Sequence, residues 1–364
     1  THHLWNQPLS HADPCFGRGT YRSLSAHRGM GGPTIGTRFY AEGDDQMKRL
    51  MATLTAVGTL FLAGCGLGTA GGLIPRGELQ GDLAGIDLRG ETISIGSKNF
   101  TEQIILGKIG AILLQSAGAN VKDLTNIPGS TSARQALQVG DMDTMFEYTG
   151  TAWITYLGHD DPVPGSREQY AAVEKADKEN GLTWLPPAPM NNTYALATSE
   201  KTHQESDVET LADIKELPPE QQTFCTDAEF LARNDGLLPM LKSYGVKEPP
   251  RSRIKEMDSG AVYAALDKGE CTFGSVFATD GRIKALQLQV LTDPDLFFPK
   301  YNLAPVIRTE VLDEHPEIKE LFAPLSQLLT DEKMQELNAR VDVDGEDYTT
   351  VALDFLKEEN LIAD

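Results

Sequence analysis

Strand-like and helix-like segments alternate along the chain from about residue 91, and this alternation constrains the fold more than any other feature. Residues 91–97 (ETISIGS) alternate as a strand does, and residues 101–118 carry apolar side chains at helical spacing, with Thr101 as a cap and Gly118 near the end. The rhythm continues with strands at 119–127, 142–148 and 193–199 and helices at 130–141 and 206–217. Such βαβ alternation is typical of an α/β domain with a mostly parallel sheet. From about Pro316 the pattern predicts packed amphipathic helices.

The composition excludes some functions. The 364 residues include 32 Lys and Arg against 53 Asp and Glu, a formal charge of −21. A chain this acidic does not suit nucleic-acid binding, because phosphate contacts require clustered Lys and Arg. The sequence has no GxxxxGK[ST] pattern, so any coupled ATP hydrolysis belongs to another polypeptide. His159, His203 and His315 are isolated, and we predict no catalytic residues, no metal site and no cofactor.

An export signal is predicted inside the chain. Met47-Lys48-Arg49 forms a short basic start, residues 50–64 form an uncharged apolar run, and Cys65 follows small residues. The tetrapeptide at 62–65 (LAGC) resembles the lipobox of exported bacterial lipoproteins, which implies that Cys65 is lipidated and anchors the protein to the outer face of the cell membrane. We therefore interpret residues 1–46 as an upstream, non-native segment, 47–64 as the signal peptide, and 65–90, which are rich in Gly, as a flexible tether. The alternative for 50–64 is a buried core helix.

About 300 residues follow the signal, enough for two domains, and they contain two further cysteines, Cys225 and Cys271. Export would place both in an oxidising compartment, where a pair usually joins. Each lies at the edge of a predicted strand, so we predict a disulfide within one domain. Two buried free thiols are the alternative. The nearby sequence offers no His that would make either cysteine a catalytic nucleophile.

Six motifs follow one another in the folded part. They are GSKNFTEQ (96–103), EYTGTAW (147–153), NNTYALA (191–197), EFLARNDG (229–236), FATDGRI (277–283) and FFPKYNLAPVIR (297–308). Together they resemble the substrate-binding proteins of bacterial osmoprotectant ABC importers, which take up glycine betaine, carnitine, choline and related solutes. The resemblance extends over about residues 92–362. It implies an α/β, two-lobed periplasmic binding protein fold of type II-like organisation, with two crossover segments and a ligand cleft between the lobes.

By this resemblance, residues 92–197 together with 300–364 form the first lobe, and 198–299 form the second. The family builds an aromatic cage, whose positions correspond here to Tyr148, Tyr194, Phe277 and Tyr301. A trimethylammonium group is charged but has no N–H to donate, so aromatic faces suit it. The third position is usually Tyr in the family. Phe277 keeps the π face and loses the hydroxyl.

The other end of a betaine is a carboxylate, which needs cations or hydrogen-bond donors. Lys98 and Arg233 match the positions that relatives use for this purpose, one in each lobe. Further candidates are Thr151, as a hydroxyl donor, with Gln103, Asn192 and Thr131. The presence of two cations favours a zwitterionic betaine over choline.

The sequence therefore predicts a monomeric lipoprotein that captures a small quaternary-ammonium ligand and delivers it to the permease and ATPase subunits of an ABC importer. Two alternatives stay open. The same fold could bind choline, an amino acid or another small cation, or the chain could be an extracellular enzyme that processes osmolytes. The second alternative lacks a nucleophile–base pair or a metal cluster among the motifs.

Overall fold

The computed structural model describes residues 73–364. The predicted upstream segment, the signal peptide and the lipidation site Cys65 lie outside these residues. Within residues 73–364, none of the helices is both long enough and apolar enough to cross a membrane.

The chain from residue 73 is built of short strands and helices. The strands are β1 (Glu78–Leu79), β2 (Thr92–Lys98), β3 (Asn120–Ile127), β4 (Thr144–Tyr148), β5 (Leu182–Trp184), β6 (Tyr194–Thr198), β7 (Phe224–Thr226), β8 (Ile254–Glu256), β9 (Phe273–Phe277), β10 (Gln289–Val290), β11 (Leu303–Arg308) and β12 (Ile362–Ala363). The helices are α1 (Thr101–Ser116), α2 (Ser130–Val139), α3 (Ser166–Asp177), α4 (Glu200–Ser206), α5 (Ala228–Ala232), α6 (Leu237–Ser243), α7 (Ser259–Asp267), α8 (Arg282–Ala285), α9 (Thr309–Glu314), α10 (Glu317–Phe322), α11 (Leu325–Leu328), α12 (Asp331–Asp342) and α13 (Tyr348–Glu358). A helical turn (Thr149–Thr151) and a π-helical segment (Ala152–Tyr156) follow β4.

Two five-stranded sheets define two lobes. The first lobe contains the sheet with strand order β3-β2-β4-β11-β5, and the second contains the sheet β10-β6-β9-β7-β8. In the first sheet β2 runs parallel to β3 and β4, whereas β11 runs antiparallel to β4 and β5. In the second sheet β7 runs parallel to β8 and β9, whereas β6 runs antiparallel to β9 and β10. The expectation of a mostly parallel sheet is confirmed for four of the five strands in each sheet. The exception is the strand that enters each lobe from the other one, β11 or β6, which runs in the opposite direction.

The two segments in which the chain crosses from one lobe to the other lie side by side. Asn191 and Asn302 form an antiparallel bridge between the two crossover segments, and the Tyr301 N–H donates to Asn191 Oδ1 at 2.7 Å. Because β6 already pairs with β9 from Tyr194 onward, the first crossing occurs before Tyr194 and not at residue 197 as predicted. The return crossing precedes β11, close to the predicted residue 300.

Helix α1 forms the centre of the first lobe. Ile105, Leu106, Ile109, Ile112 and Leu113 are each 0 % exposed, so the helix is buried on nearly all sides, as an almost continuously apolar helix should be. It packs between the first sheet and the C-terminal helices α12 and α13. Complete burial of each such side chain contributes about 1.5–3 kcal/mol of hydrophobic stabilisation.

Residues 65–90 are predicted to be a flexible tether, but the structure shows that the later part of this segment is folded. Strand β1 pairs antiparallel with β12, which joins residue 78 to residue 363, and Leu79, Leu83 and Leu88 are buried. These apolar side chains explain the difference, because a Gly-rich segment with three leucines can still dock on a folded core. The ordered domain therefore begins before residue 91.

The second lobe contains the predicted disulfide. Cys225 in β7 and Cys271, just before β9, are joined, with their Cα atoms 5.7 Å apart. Since β7 and β9 are neighbours in the sheet, the bond links two strands that already pair. The prediction of a disulfide within one lobe is confirmed.

Candidate functional site

A cavity of about 1020 Å³ is lined by residues of both lobes. Several of its walls come from strand ends, since Tyr148 ends β4, Phe277 ends β9 and Tyr194 begins β6. Tyr194 and Phe277 are directly paired across the second sheet, and Tyr148 is paired with Leu303, two residues after Tyr301. The sheet registers therefore bring together the four predicted aromatic residues. Seven predicted site residues line the cavity, namely Lys98, Tyr148, Thr151, Asn192, Tyr194, Phe277 and Tyr301.

The aromatic rings lie close to one another at different angles. The ring centroid of Tyr194 is 5.0 Å from that of Phe277 and 5.7 Å from that of Tyr301, with interplanar angles of 43° and 82°. Such a corner of rings presents π faces in several directions. Burial raises the pKa of the Tyr148, Tyr194 and Tyr301 hydroxyls well above the ordinary value, so these phenols stay neutral.

A fifth ring, that of Phe100, was not among the predicted site residues. It lies 5.0 Å from Phe277 with an interplanar angle of 14°, and 6.3 Å from Tyr148 at 26°. Phe100 immediately precedes α1 in the first lobe, whereas Phe277 belongs to the second. The stacked pair therefore spans the lobes and also lines the cavity.

Lys98 lines the cavity, but its charge already has a partner. Its Nζ lies 2.5 Å from Glu147 Oε1 and 5.0 Å from the ring centroid of Tyr148, and its side chain is almost fully buried. The second oxygen of Glu147 accepts a hydrogen bond from the Tyr156 hydroxyl at 2.7 Å. Glu147 thus holds the Lys98 ammonium over the Tyr148 ring.

Arg233 lies behind the aromatic rings and is not among the residues that line the cavity. Its guanidinium donates to both oxygens of Asp235 at 2.6 Å and contacts Glu229 at 3.2 Å. The guanidinium carbon lies 5.1 Å from the ring centroid of Tyr194. The structure does not place Arg233 beside Lys98 as an open clamp, because the carboxylates of its own lobe surround it.

Two further predicted residues lie away from the cavity wall. Gln103 is completely buried, and its Oε1 accepts a hydrogen bond from the backbone N–H of Lys98 at 3.3 Å. Thr131 is exposed, because the first turn of α2 directs Ser130 and not Thr131 towards the second lobe. The Ser130 N–H donates to Glu229 Oε2 at 3.0 Å, and its hydroxyl donates to Glu229 Oε1.

The lobes contact each other directly around the cavity. Besides the Ser130–Glu229 contact, Asn338 of α12 donates from Nδ2 to the Thr279 carbonyl at 2.9 Å, and Arg282 lies 3.2 Å from Asp342. Thr279 and Arg282 follow β9 in the second lobe, whereas Asn338 and Asp342 belong to the first. The structure is therefore a closed arrangement of the two lobes.

Comparison with known proteins agrees with this geometry. Residues 91–358 match the family described as the substrate binding domain of ABC-type glycine betaine transport systems. The glycine-betaine-binding protein of Pseudomonas aeruginosa is 42% identical over 282 residues, which cover 75% of this chain and 90% of that protein. The chain belongs to this family.

Other members support the assignment. The glycine betaine-binding protein YehZ of Escherichia coli is 32% identical over 275 residues, covering 73% of this chain and 90% of that protein. A crystal structure of a glycine betaine/carnitine/choline ABC transporter protein superposes with a TM-score of 0.62 at 27% identity, covering 74% of this chain and 99% of that one. The two-lobed α/β fold of type II binding proteins is thus shown.

The chain thus belongs to a family of transport substrate-binding domains. Among residues 73–364, no cluster of three or more His, Cys, Asp or Glu side chains could hold a metal ion. The cavity combines aromatic faces, hydroxyls and amides, which suits reversible binding of a small ion.

Proposed function

We propose that this chain is an extracytoplasmic receptor that captures a quaternary-ammonium solute, glycine betaine or a related betaine, and delivers it to an ABC permease. One observation carries the proposal: aromatic rings from both lobes converge in one cavity. A trimethylammonium ion has no N–H, so π faces are its best partners, each contributing about 0.5–2 kcal/mol. Family membership and the glycine betaine ligands named for its relatives support the same ligand class.

The carboxylate of a betaine needs donors within reach of the rings. Lys98, Thr151 and Asn192 line the cavity and supply an ammonium, a hydroxyl and an amide. In this proposal Thr151 and Lys98, which Glu147 holds at the cavity wall, bind the ligand carboxylate, whereas the Asn192 amide donates to Glu102 of α1. Arg233, with its charge taken up by Asp235 and Glu229, holds Tyr194 in place. Gln103 has a comparable supporting role, since it fixes the backbone of Lys98.

Closure completes the site, because each lobe supplies part of the cage. Tyr148 and Tyr301 come from the first lobe and its crossover, whereas Tyr194 and Phe277 come from the second. A solute that contacts both sets of rings binds the closed state better than the open one and therefore shifts the equilibrium towards closure. The closed shape is then the form recognised by the permease.

The remaining features belong to the same proposal. Binding and release involve no covalent chemistry, so the chain is not an enzyme, and it acts as a monomer with separate permease and ATPase polypeptides. A lipid on Cys65 would keep it at the outer face of the membrane.

Calorimetric titration with glycine betaine, carnitine, proline betaine and choline tests the proposal. We expect binding of at least one betaine, and a loss of about 10-fold or more in affinity for Tyr148→Ala and for Tyr301→Ala. Tyr170→Ala is a matched control, since Tyr170 packs in the first lobe away from the cavity. Absence of binding by all four solutes would refute the proposed function.

A further inference from the structure

One buried acid in the cavity wall has no assigned role. Glu102 lies in the first turn of α1, two residues after Phe100, and is 3 % exposed. It lines the same cavity as the aromatic rings. A carboxylate in such a place loses most of its hydration, and burial accordingly raises the pKa of Glu102 although several hydrogen bonds oppose the rise.

Four donors surround the carboxylate. Oε1 accepts from the Tyr148 hydroxyl at 2.6 Å and from Asn192 Nδ2 at 2.8 Å. Oε2 accepts from the Thr279 hydroxyl at 2.5 Å and from Asn338 Nδ2 at 3.2 Å. The two amide groups can only donate through their nitrogens, so each carboxyl oxygen has at least one partner for which it must be the acceptor.

The charge of Glu102, however, lacks a cationic partner. None of the ion pairs within 4.0 Å that join described residues involves Glu102, whereas Lys98, Arg233 and Arg282 each contact a carboxylate. Proteins rarely bury a charge without a partner, because the lost hydration is expensive. The N-terminal position in α1 offsets only part of this cost. The missing positive charge is expected to come from outside the chain.

We propose that Glu102 supplies the countercharge for the ligand's quaternary ammonium group, acting in part through the hydroxyl of Tyr148. This inference rests on the proposed function. A phenol that donates to a carboxylate becomes richer in electron density over its ring, and a cation on that ring is then bound more strongly. Glu102 is thus a positioning and charge-supplying residue behind the cage, with no direct contact to the methyl groups required.

The same carboxylate links ligand charge to lobe closure. Thr279 is its only donor from the second lobe among the described residues, and Asn338 donates both to Glu102 and to the Thr279 carbonyl. Closure therefore brings a hydroxyl onto Glu102 as the rings of the second lobe reach the ligand. The ligand's ammonium group and the Thr279 hydroxyl of the second lobe then both stabilise the buried carboxylate of Glu102.

The test compares glycine betaine with 3,3-dimethylbutanoate, in which carbon replaces the ammonium nitrogen. The affinity ratio of the two ligands isolates the contribution of the positive charge. For Glu102→Gln we expect this ratio to fall at least about 10-fold, mainly through weaker betaine binding. Glu102→Asp keeps the charge and should preserve the ratio. Thr279→Val removes the interlobe hydrogen bond, and it should weaken both ligands while changing the ratio less than about 3-fold.

The outcomes separate the two proposals. An unchanged ratio in Glu102→Gln, with betaine still bound by the wild type, would overturn the role of Glu102 and leave the proposed function intact. Failure of the wild type to bind any betaine would refute the proposed function itself, and this inference with it. If Glu102→Gln does not fold by circular dichroism, Tyr148→Phe replaces it. Loss of that hydroxyl should lower the ratio about 3-fold, and an unaltered ratio would again overturn the inference.

Discussion

Tyr301 donates a hydrogen bond of 2.5 Å from its hydroxyl to Asp235 Oδ2, and this bond joins the second crossover segment to the second lobe. Asp235 is also bound by the guanidinium of Arg233, which in turn lies over the ring of Tyr194. The Tyr301 hydroxyl and the Tyr194 ring thus share one buried ion pair, Arg233–Asp235. We infer that the orientation of the proposed cage depends on these two polar groups, which are not among the residues that line the cavity.

This relationship predicts the behaviour of Tyr301→Phe. The ring remains, so most of the cation–π contribution should remain, but Asp235 loses one of its donors. We expect the free energy of unfolding to fall by about 1–2 kcal/mol and the affinity for glycine betaine to fall about 3-fold to 10-fold. Urea denaturation and calorimetry measure the two effects.

Tyr170→Phe is the control for this substitution. The Tyr170 hydroxyl donates to the Trp184 carbonyl at 3.0 Å in the first lobe, so its loss should affect stability without changing betaine affinity. If both variants lowered the affinity equally, the special role of the Tyr301–Asp235 bond would be refuted.

The interlobe stack of Phe100 on Phe277 predicts that Phe100 contributes to binding although no cage position of the family corresponds to it here. Phe100→Ala should reduce betaine affinity about 10-fold, because it removes one ring face and loosens Phe277. Phe100→Leu keeps the apolar volume and separates packing from π character. Equal affinity of the wild type and Phe100→Ala would show that the stack only packs.

Site residues could be predicted where a recognisable motif contains them, and not where their role depends on partners far away in the sequence. Tyr148, Tyr194, Phe277 and Tyr301 fall at or near strand ends within motifs that resemble a known family, so their convergence on one cavity could be predicted residue by residue. Phe100 and Glu102 lie in the first of those motifs, yet nothing local distinguishes them from a core ring and an N-terminal helix acid. The partners of Glu102 are 46, 90, 177 and 236 residues away, and only the folded chain brings them together.

The same reason explains which parts of the fold local pattern does not predict. The Gly-rich composition of residues 65–90 predicts a tether and not β1, because the partner of β1, β12, is at the other end of the chain, and pairing over such a distance leaves no periodic signal. The antiparallel direction of β6 and β11 depends on how the chain crosses between lobes, which local pattern does not encode. By contrast, the apolar spacing within residues 101–118 is enough to predict α1, because the pattern of a buried helix lies within one continuous segment.

The disulfide predicts a stability effect without a binding effect. Cys225 and Cys271 are 46 residues apart, and closing a loop of this size contributes about 4 kcal/mol in the chain-entropy view. Neither cysteine lines the cavity. The double variant Cys225→Ser/Cys271→Ser should therefore unfold at lower urea concentration than the wild type, with betaine affinity within about 2-fold at native conditions. A large loss of affinity in a folded double variant would contradict this prediction.

The Ser130–Glu229 contact predicts that acid opens the lobes. Burial works against ionisation of Glu229, but the charges of Lys98 and Arg233 and the hydrogen bonds from Ser130 prevail, so its pKa is lowered from the ordinary 4.5. A carboxyl whose pKa is lower in the closed, folded protein stabilises that state fully above pH 4.5. The stabilisation is lost as the pH falls below 4.5 and through the lowered pKa.

When betaine affinity is measured from pH 7 to pH 3.5, the part of it that depends on Glu229 should therefore be steady above about pH 4.5 and be lost below it, if the closed state is the one that binds. Glu229→Gln removes the charge that Ser130 and Arg233 contact. The variant should therefore bind betaine more weakly at pH 7, and its affinity should fall less than that of the wild type as the pH is lowered below 4.5. Glu248→Gln changes an exposed acid of the second lobe and should keep the wild-type profile. An acid limb identical in Glu229→Gln and the wild type would show that another group controls the loss of binding.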